Sequence, residues 1–350
     1  MTELLKILQK IMPKEMSALS RRYTLLHTIR LFQPIGRRLL SQKMRISEKV
    51  IRTDTELLKS EGLIDIVFAG MTLTEEGARV LDSLQELMRP LEELDKVREG
   101  VQTLLESQEL YVVPGDSQNN QEAFKELGKE AARVLLEHLQ GKSTVAITGG
   151  STIRKVVEAI PFQKAPSPFP KLMVVPARGS LGNNAKIQAN NLVAKMAERL
   201  QCRYRLLNLP DNLSRKSLDS VSQEPEIKEV FSLIRNADIV LFGIGIAERM
   251  VERRNLEPSV MEEIREKRAV AEVLGHYFDG QGNIVSTSCS IGLRLHELEQ
   301  GGGYPIAVAG GADKAEAILA VRKYLRRGAL VIDEGAAKRI LALAAGSKTL

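Results

Sequence analysis

The period of the hydrophobic and polar positions changes once along this chain, near residue 109. Before that point, apolar residues recur at the three-to-four spacing of helices buried on one face. The run Tyr23-Thr24-Leu25-Leu26-His27-Thr28-Ile29-Arg30-Leu31-Phe32 predicts a helix. Pro34 ends it, because proline lacks an amide and disfavours helix at the residue before it. A short second helix over residues 36–44 groups Ile35, Leu39, Leu40 and Met44 on one side. After a tight Arg45-Ile46 turn, Ser47 stands where a cap would accept a hydrogen bond from the first free amides of a third helix. That helix, residues 48–61, is expected to bury Val50, Ile51, Leu57 and Leu58, with Gly62 as its stop. Residues 63–67 and 71–74, split by Phe68-Ala69-Gly70, read as a two-stranded wing. Thr74-Glu75-Glu76-Gly77 opens another helix through Leu81, Leu84, Leu87 and Met88 to Pro90, and a further helix over 91–108 follows. Residues 1–19 hold a separate amphipathic stretch (Leu4, Leu5, Ile7, Leu8, Ile11, Met12) interrupted at Pro13. Packing on the rest of the head or on a neighbouring subunit is expected for it.

From Glu109 onward, short apolar runs alternate with amphipathic helical patterns. The runs cover residues 110–113, 143–147, 172–175, 204–207, 238–242, 304–308 and 329–332. Such alternation is the mark of a parallel sheet covered on both faces. The fold predicted is therefore α/β. An amino-terminal winged helix-turn-helix domain with a helical connector (residues 1–88) precedes a larger, Rossmann-like parallel-sheet domain (residues 89–350).

Charge sharpens this division. The chain of 350 residues carries a net charge of only +6. Between residues 20 and 60, however, ten bases (Arg21, Arg22, Arg30, Arg37, Arg38, Lys43, Arg45, Lys49, Arg52, Lys59) face three acids (Glu48, Asp54, Glu56). That excess of seven exceeds the net charge of the whole chain, so a basic head is joined to a near-neutral body. A third helix whose first turns expose Ser47, Glu48, Lys49, Arg52 and Thr53, with Arg37 and Arg38 on the helix before it, fits the major groove of double-stranded DNA. Aromatic residues make up 4% of the chain and tryptophan is absent, which argues against stacking platforms for single strands. A reading head of this size usually acts in symmetric pairs, so a homo-dimer or tetramer is expected, with the connector as its seam. Two cysteines, Cys202 and Cys289, make neither a disulfide framework nor a metal site. No apolar run is long enough to span a membrane and Met1-Thr2-Glu3-Leu4-Leu5-Lys6 lacks a signal-peptide core, so a cytoplasmic protein is expected.

Ligands of parallel sheets bind beyond the carboxyl ends of the strands. There the sequence has Thr148-Gly149-Gly150-Ser151-Thr152, Pro176-Ala177-Arg178-Gly179, Gly243-Ile244-Gly245, Ala309-Gly310-Gly311-Ala312-Asp313-Lys314 and Asp333-Glu334-Gly335. Glycines let backbone approach an anion, and free amides at a helix start point at it. Two glycine turns with nearby cations, Arg178 and Lys314, suggest a ligand with two anionic groups. Neither matches a dinucleotide fingerprint or a nucleotide P-loop. A sugar-phosphate isomerase or deaminase could also be built here; its general base would be Glu272, Asp333, Glu334 or Lys314. Of the four histidines, His27 lies in the head, His138 defaults to a helix surface, His276 lies near the mouth, and none has metal-ligand spacing. A sensor needs no catalytic residue, cofactor or metal.

With these residues laid out, the chain resembles the SorC family of bacterial transcriptional regulators along nearly its whole length. In the head the resemblance rests on Gln33-Pro34-Ile35-Gly36-Arg37-Arg38 and on residues 70–77. In the body it rests on residues 148–152, Val175-Pro176-Ala177-Arg178-Gly179, Gln188-Ala189-Asn190, Arg253-Arg254-Asn255, Val308-Ala309-Gly310-Gly311, Lys314-Ala315-Glu316-Ala317-Ile318 and Asp333-Glu334-Gly335-Ala336-Ala337-Lys338. It implies a body similar in fold to sugar-phosphate isomerases but serving as a sensor, repression of glycolytic genes, and fructose-1,6-bisphosphate as effector. The effector contacts it implies are Ser151, Thr152, Arg178, Gln188, Arg253, Glu272 and Lys314, to which the glycine turns add Gly149, Gly150 and Gly311. Ser151 departs from an expected threonine but keeps the hydroxyl, and Ser180 stands where glycine is usual.

Overall fold

In the computed structural model of the chain, residues 8, 11–163, 167–179, 184–210, 213, 215–254, 256, 258–288, 291–300 and 303–346 are described, without the side chains of 85–87 and 89–92. The expected apolar positions Leu4, Leu5, Ile7 and Leu87, and Cys289, lie outside them. The chain forms two compact units, Met1–Asp95 and Lys96–Leu350.

The first unit holds α1 (Pro13–Phe32), α2 (Arg37–Met44), α3 (Glu48–Ser60), β1 (Ile64–Val67), β2 (Gly70–Leu73) and the start of α4 (Glu75–Leu105). Tyr23, Leu25, Leu26, Ile29, Leu40, Ile51 and Leu58 meet Ile64, Met71 and Leu81 in one core. Pro13 opens α1 after a break at Met12, as its first turn needs no amide from proline. The chain after α1 then joins the wing. Ile35 and Met71 exchange both backbone hydrogen bonds (3.1 and 2.9 Å), and Gln33 Oε1 accepts from the Leu73 amide at 2.8 Å. A Cβ on Gly70 would stand 2.7 Å from the Ile35 nitrogen, and one on Gly77 would stand 1.9 Å from the Leu63 oxygen. Thr74 Oγ1 accepts from the Gly77 amide at 2.9 Å and donates to the Gly62 oxygen at 2.7 Å, closing the start of α4. Gln33-Pro34-Ile35 and residues 70–77 therefore build the wing's base.

Three local expectations are corrected here. Ser47 occupies the cap position of α3, but its hydroxyl makes no capping bond; its carbonyl accepts from Val50 and Ile51 instead. On α3 Leu57 is exposed and Val50 only half-buried, while Asp54 and Thr55 are buried beside Ile51 and Leu58. Asp54 is covered because Arg21 and Arg22 of α1 clamp it. Lastly, residues 75–105 form one helix through Pro90. Proline costs about 3 kcal/mol inside a helix, chiefly through one lost bond and a clash, and the rest of a long hydrogen-bond ladder outweighs that.

The second unit is a βα succession: β3 (Glu109–Val113), α5 (Gln121–His138), β4 (Thr144–Ile147), α6 (Ser151–Ala159), β5 (Met173–Pro176), α7 (Ala189–Leu200), β6 (Arg203–Tyr204), α8 (Arg215–Val221), α9 (Pro225–Arg235) and β7 (Ile239–Gly243). It continues through β8 (Gly245–Ile246), α10 (Ala247–Arg254), α11 (Pro258–Glu266), β9 (Ala271–Val273), β10 (His276–Phe278), β11 (Ile284–Thr287) and α12 (Leu295–Glu299). The last elements are β12 (Tyr304–Ala309), α13 (Ala315–Ala320), β13 (Ala329–Asp333) and α14 (Glu334–Gly346). Seven parallel strands run in the order β3-β13-β12-β7-β4-β5-β6. Alternate residues of β7 enter two different cores: Ile239 and Leu241 one, Val240 and Phe242 the other. The sheet is thus covered on both faces, which is why its strands read as unbroken apolar runs.

Of the run at 204–207 only Tyr204 joins the sheet, in the two-residue strand Arg203–Tyr204. Beyond it the Asn190 side chain accepts from the Leu207 amide (3.1 Å) and donates to the Leu207 oxygen (3.0 Å), standing in for a neighbouring strand. A four-stranded antiparallel sheet, β11-β10-β9-β8, was not among the sequence expectations. Its strands are two to four residues long, too short for alternation to show. Among the described residues no helix is long and apolar enough to cross a membrane.

Candidate functional sites

Strand order reverses between β4 and β7: from β4 the chain steps outward through β5 and β6, then returns to the other side of β4 with β7. A crevice forms beyond the carboxyl ends of strands at such a switch. Here it is a cavity of about 420 Å³, within the range of small-molecule sites. Residues 148–153 after β4 and Gly243-Ile244-Gly245-Ile246 after β7 line it.

Gly149 lets the preceding turn lie against residues 187–189, since a Cβ there would stand 2.6 Å from the Ile187 oxygen. Gly150 has φ +117 and gives its amide to that same oxygen at 2.8 Å. The next amides, those of Ser151, Thr152 and Ile153, begin α6 and have no helical carbonyl one turn back. Their residues line the cavity, so an anion there meets amides, two hydroxyls and the positive end of the helix.

Among the described residues, five cations line the same space: Arg178, Arg249, Arg253, Arg254 and Lys314. Glu272, on β9, is the one carboxylate among the described lining residues. It is buried, and its Oε1 accepts from Arg178 Nη1 (3.0 Å), Arg254 Nη2 (2.6 Å) and the Gly275 amide (2.6 Å). Burial alone would raise its pKa, but the adjacent Arg254 and Arg178 prevail and hold the carboxyl below the usual range. Burial lowers Lys314 to about 8, against Asp313 and Asp333, which raise it, and with Arg253 and Arg249, which lower it further. Gln188 lines the cavity beside α6.

Gly311 is placed differently from expectation. Its amide is donated to Asp333 Oδ2 at 2.7 Å, and it is not among the lining residues. Asp333, fully buried, also accepts from the Ser117 and Ala336 amides, at 2.7 and 2.8 Å. The second glycine turn therefore spends its backbone donor on a carboxylate of its own chain, and only Lys314 of that turn reaches the cavity. Glu334 is likewise engaged, by the Gly115 amide and Lys338. With Glu272, Asp333 and Glu334 all held by protein donors, none of them is poised as a general base. His276 packs against Thr287 Oγ1 at 3.1 Å outside the lining, and His138 is half-buried, stacked on Tyr304 with ring centroids 4.3 Å apart, rather than exposed. Arg249 was missed by sequence reasoning, and Arg254 entered it only as part of the Arg253-Arg254-Asn255 motif. Arg249 precedes Arg253 by one helical turn, a signal legible once α10 is known to start beside the cavity.

In the first unit, Ser47, Glu48, Lys49, Arg52 and Thr53 are exposed on α3, Arg38 is exposed on α2 and Arg37 half-exposed. Arg52 Nε pairs with Glu56 at 3.1 Å, and Thr53 Oγ1 donates to the Lys49 oxygen at 3.2 Å. Arg21 and Arg22 are turned inward: their Nε atoms lie 2.5 and 3.0 Å from the two oxygens of Asp54. These two bases, counted in the charge excess, hold the head together.

The model of the CggR N-terminal DNA binding domain matches residues 18–88, and the sugar-binding domain model Sugar-bind matches residues 89–342. The chain is 39% identical over 343 residues to the central glycolytic genes regulators of Priestia megaterium (strain DSM 319 / IMG 1521) and Bacillus subtilis (strain 168), covering 97% of this chain and 99% of each of them. Among solved structures, a transcriptional regulator assigned to the SorC family from Enterococcus faecalis is 35% identical, with a TM-score of 0.65 over 70% of this chain and 99% of its own. The full-length sorbitol operon regulator SorC from Klebsiella pneumoniae, 16% identical, shares the fold over 92% of this chain and 99% of its own, with a TM-score of 0.63. A winged helix-turn-helix head and a switch-point cavity rich in cations define a DNA-binding transcriptional regulator with a sugar-binding domain. The chain belongs to the SorC family of these regulators.

Proposed function

We propose that the protein represses glycolytic genes from the cytoplasm, as a homo-dimer or tetramer on operator DNA, under the control of a phosphorylated sugar, fructose-1,6-bisphosphate. The relatives' names supply the genes. One observation supports the effector: among the described lining residues, five cations and a helix start share a cavity with a single carboxylate that is already paired. Such a surplus suits a ligand with two phosphoryl groups. One group fits the first turn of α6, with Gly149, Gly150, Ser151 and Thr152. The other fits Arg253 and Lys314, while Arg178, Gln188 and Glu272 face the sugar between them. On the head, Ser47, Glu48, Lys49, Arg52 and Thr53 enter the major groove, with Arg37 and Arg38 on phosphates. Ligand then changes operator affinity by binding two arrangements of the oligomer unequally.

Thermal unfolding of the full chain tests the effector. Fructose-1,6-bisphosphate raises the body's transition, fructose leaves it in place, and Arg178→Ala abolishes the rise. No rise at millimolar bisphosphate in the unmutated protein overturns the reading.

A further inference from the structure

Arg249 reaches from α10 to the turn that carries Lys314: its Nη1 donates to Asp313 Oδ2 at 2.5 Å. Arg249 lines the cavity and its side chain is 55% exposed; Asp313 lies outside the lining and is 18% exposed. The Asp313 amide donates to Gln118 Oε1 at 3.2 Å, and its Oδ1 lies 2.5 Å from where a Cβ on Gly311 would stand. Gly311, at φ +103, is thus what lets the carboxylate fold over the turn toward Arg249. The other cavity arginines differ. Arg178 and Arg254 are buried on Glu272, and Arg253 makes no ion pair with a described carboxylate. Arg249 is therefore a cavity cation neutralised by an acid on the rim, across an exposed pair.

We infer that Asp313 is a built-in counter-anion for Arg249, which a phosphoryl group entering the cavity displaces, and that this exchange discriminates phosphorylated from uncharged sugars. The inference rests on the cavity being a sugar-phosphate site. A guanidinium binds phosphate through two parallel N–H donors, and a phosphate ester carries up to two charges against the carboxylate's one, so the exchange favours the incoming group. An uncharged sugar offers nothing in return for the opened pair.

The test is a double-mutant cycle by titration calorimetry on the full chain at pH 7, with fructose-1,6-bisphosphate as probe. Asp313→Asn binds the probe about fivefold more tightly than the unmutated protein, the scale of an exposed ion pair. Arg249→Gln binds it about fivefold more weakly, and the double variant matches Arg249→Gln, because Asp313 acts only through Arg249. Matching far-ultraviolet spectra and thermal transitions establish that each variant is folded, and Asp313→Ala serves in the cycle if the asparagine variant is not. Unchanged or weaker binding by the Asp313 variants overturns the inference. So does a tightening that persists without Arg249, which marks a general field of the carboxylate on the bound anion. If the unmutated protein binds and Arg178→Ala does not, such results remove the exchange and leave the sugar-phosphate reading intact. If the unmutated protein does not bind the probe, both fall.

Discussion

Arg178 Nη1 donates to Glu272 Oε1 at 3.0 Å, joining residues 94 positions apart inside the cavity wall. Arg254 converges on the same oxygen, so one buried negative charge holds two buried positive ones. Such an arrangement stores local charge: removing the carboxylate strands both guanidiniums, at a cost of about 3–5 kcal/mol.

Glu272→Gln therefore destabilises the body by about 3 kcal/mol in chemical denaturation of the full chain, and added sugar phosphate recovers part of the loss by supplying an anion. The depressed carboxyl sets the pH window. Its stabilisation is fully present above the ordinary glutamate pKa and disappears only as pH falls through its lower folded value. In the unmutated body the contribution consequently survives mild acid, and comparing acid titrations of the two proteins by circular dichroism checks this.

Lys314 predicts an alkaline limit on ligand binding. Burial brings it to about 8, so it loses its proton there while the ligand needs it charged. Affinity for fructose-1,6-bisphosphate is flat through neutrality and falls above pH 8, by up to about tenfold per pH unit, with proton uptake detectable by calorimetry in buffers of different ionisation heat. Lys314→Arg removes the bend. For the ligand-free body the sign is opposite: the unfolded chain, at the ordinary 10.5, binds more protons between pH 8 and 10.5, so this group's contribution to stability rises with pH there.

Two basic residues of the head behave differently in operator binding. Lys49→Ala, on the exposed face of α3, weakens binding and lowers the slope of log affinity against log salt by about one. Arg21→Ala loses its pair with buried Asp54 and lowers the stability of the head by about 1–3 kcal/mol, with little change in that slope. Electrophoretic mobility shifts at several salt concentrations, beside thermal unfolding, separate the two effects. Equal slopes for both variants would refute the inward assignment of Arg21.

Gly311→Ala strains a φ of +103 and drives a Cβ to within 2.5 Å of Asp313 Oδ1. The Asp313 carboxylate is then pushed off Arg249, and affinity for the bisphosphate rises about fivefold, as in Asp313→Asn, while Gly346→Ala, which meets nothing within 4 Å, leaves it unchanged. Calorimetric titration of both variants decides it.

Much of the head was legible because its elements are local. Apolar spacing places Leu25, Ile29, Leu40, Ile51 and Leu58 in one core, and Phe68-Ala69-Gly70 marks the wing turn. Charge arithmetic was less reliable, since it counts Arg21 and Arg22 without knowing that Asp54 lies opposite them. In the body, strand ends announced Thr148–Thr152 and Lys314 as cavity residues, whereas Gly311 was misread as an amide donor to ligand. A glycine says that backbone can come close, not what it comes close to.

By itself, the sequence determined the two-part plan, the period of the longer elements, the parallel sheet and most residues at its carboxyl edge. These follow from side-chain size, polarity and backbone allowance over a few neighbouring positions. Only the tertiary structure decided which cations line the cavity and which are already neutralised. Pairing of β4 with β7 brings residues 148–153 to residues 243–254. The fold also sets Glu272 against Arg178 and Arg254, Asp313 against Arg249, and Asp333 against the Gly311 amide. Electrostatic partnership depends on distance and burial in space, and separations of 18 to 94 residues along the chain carry no trace of either.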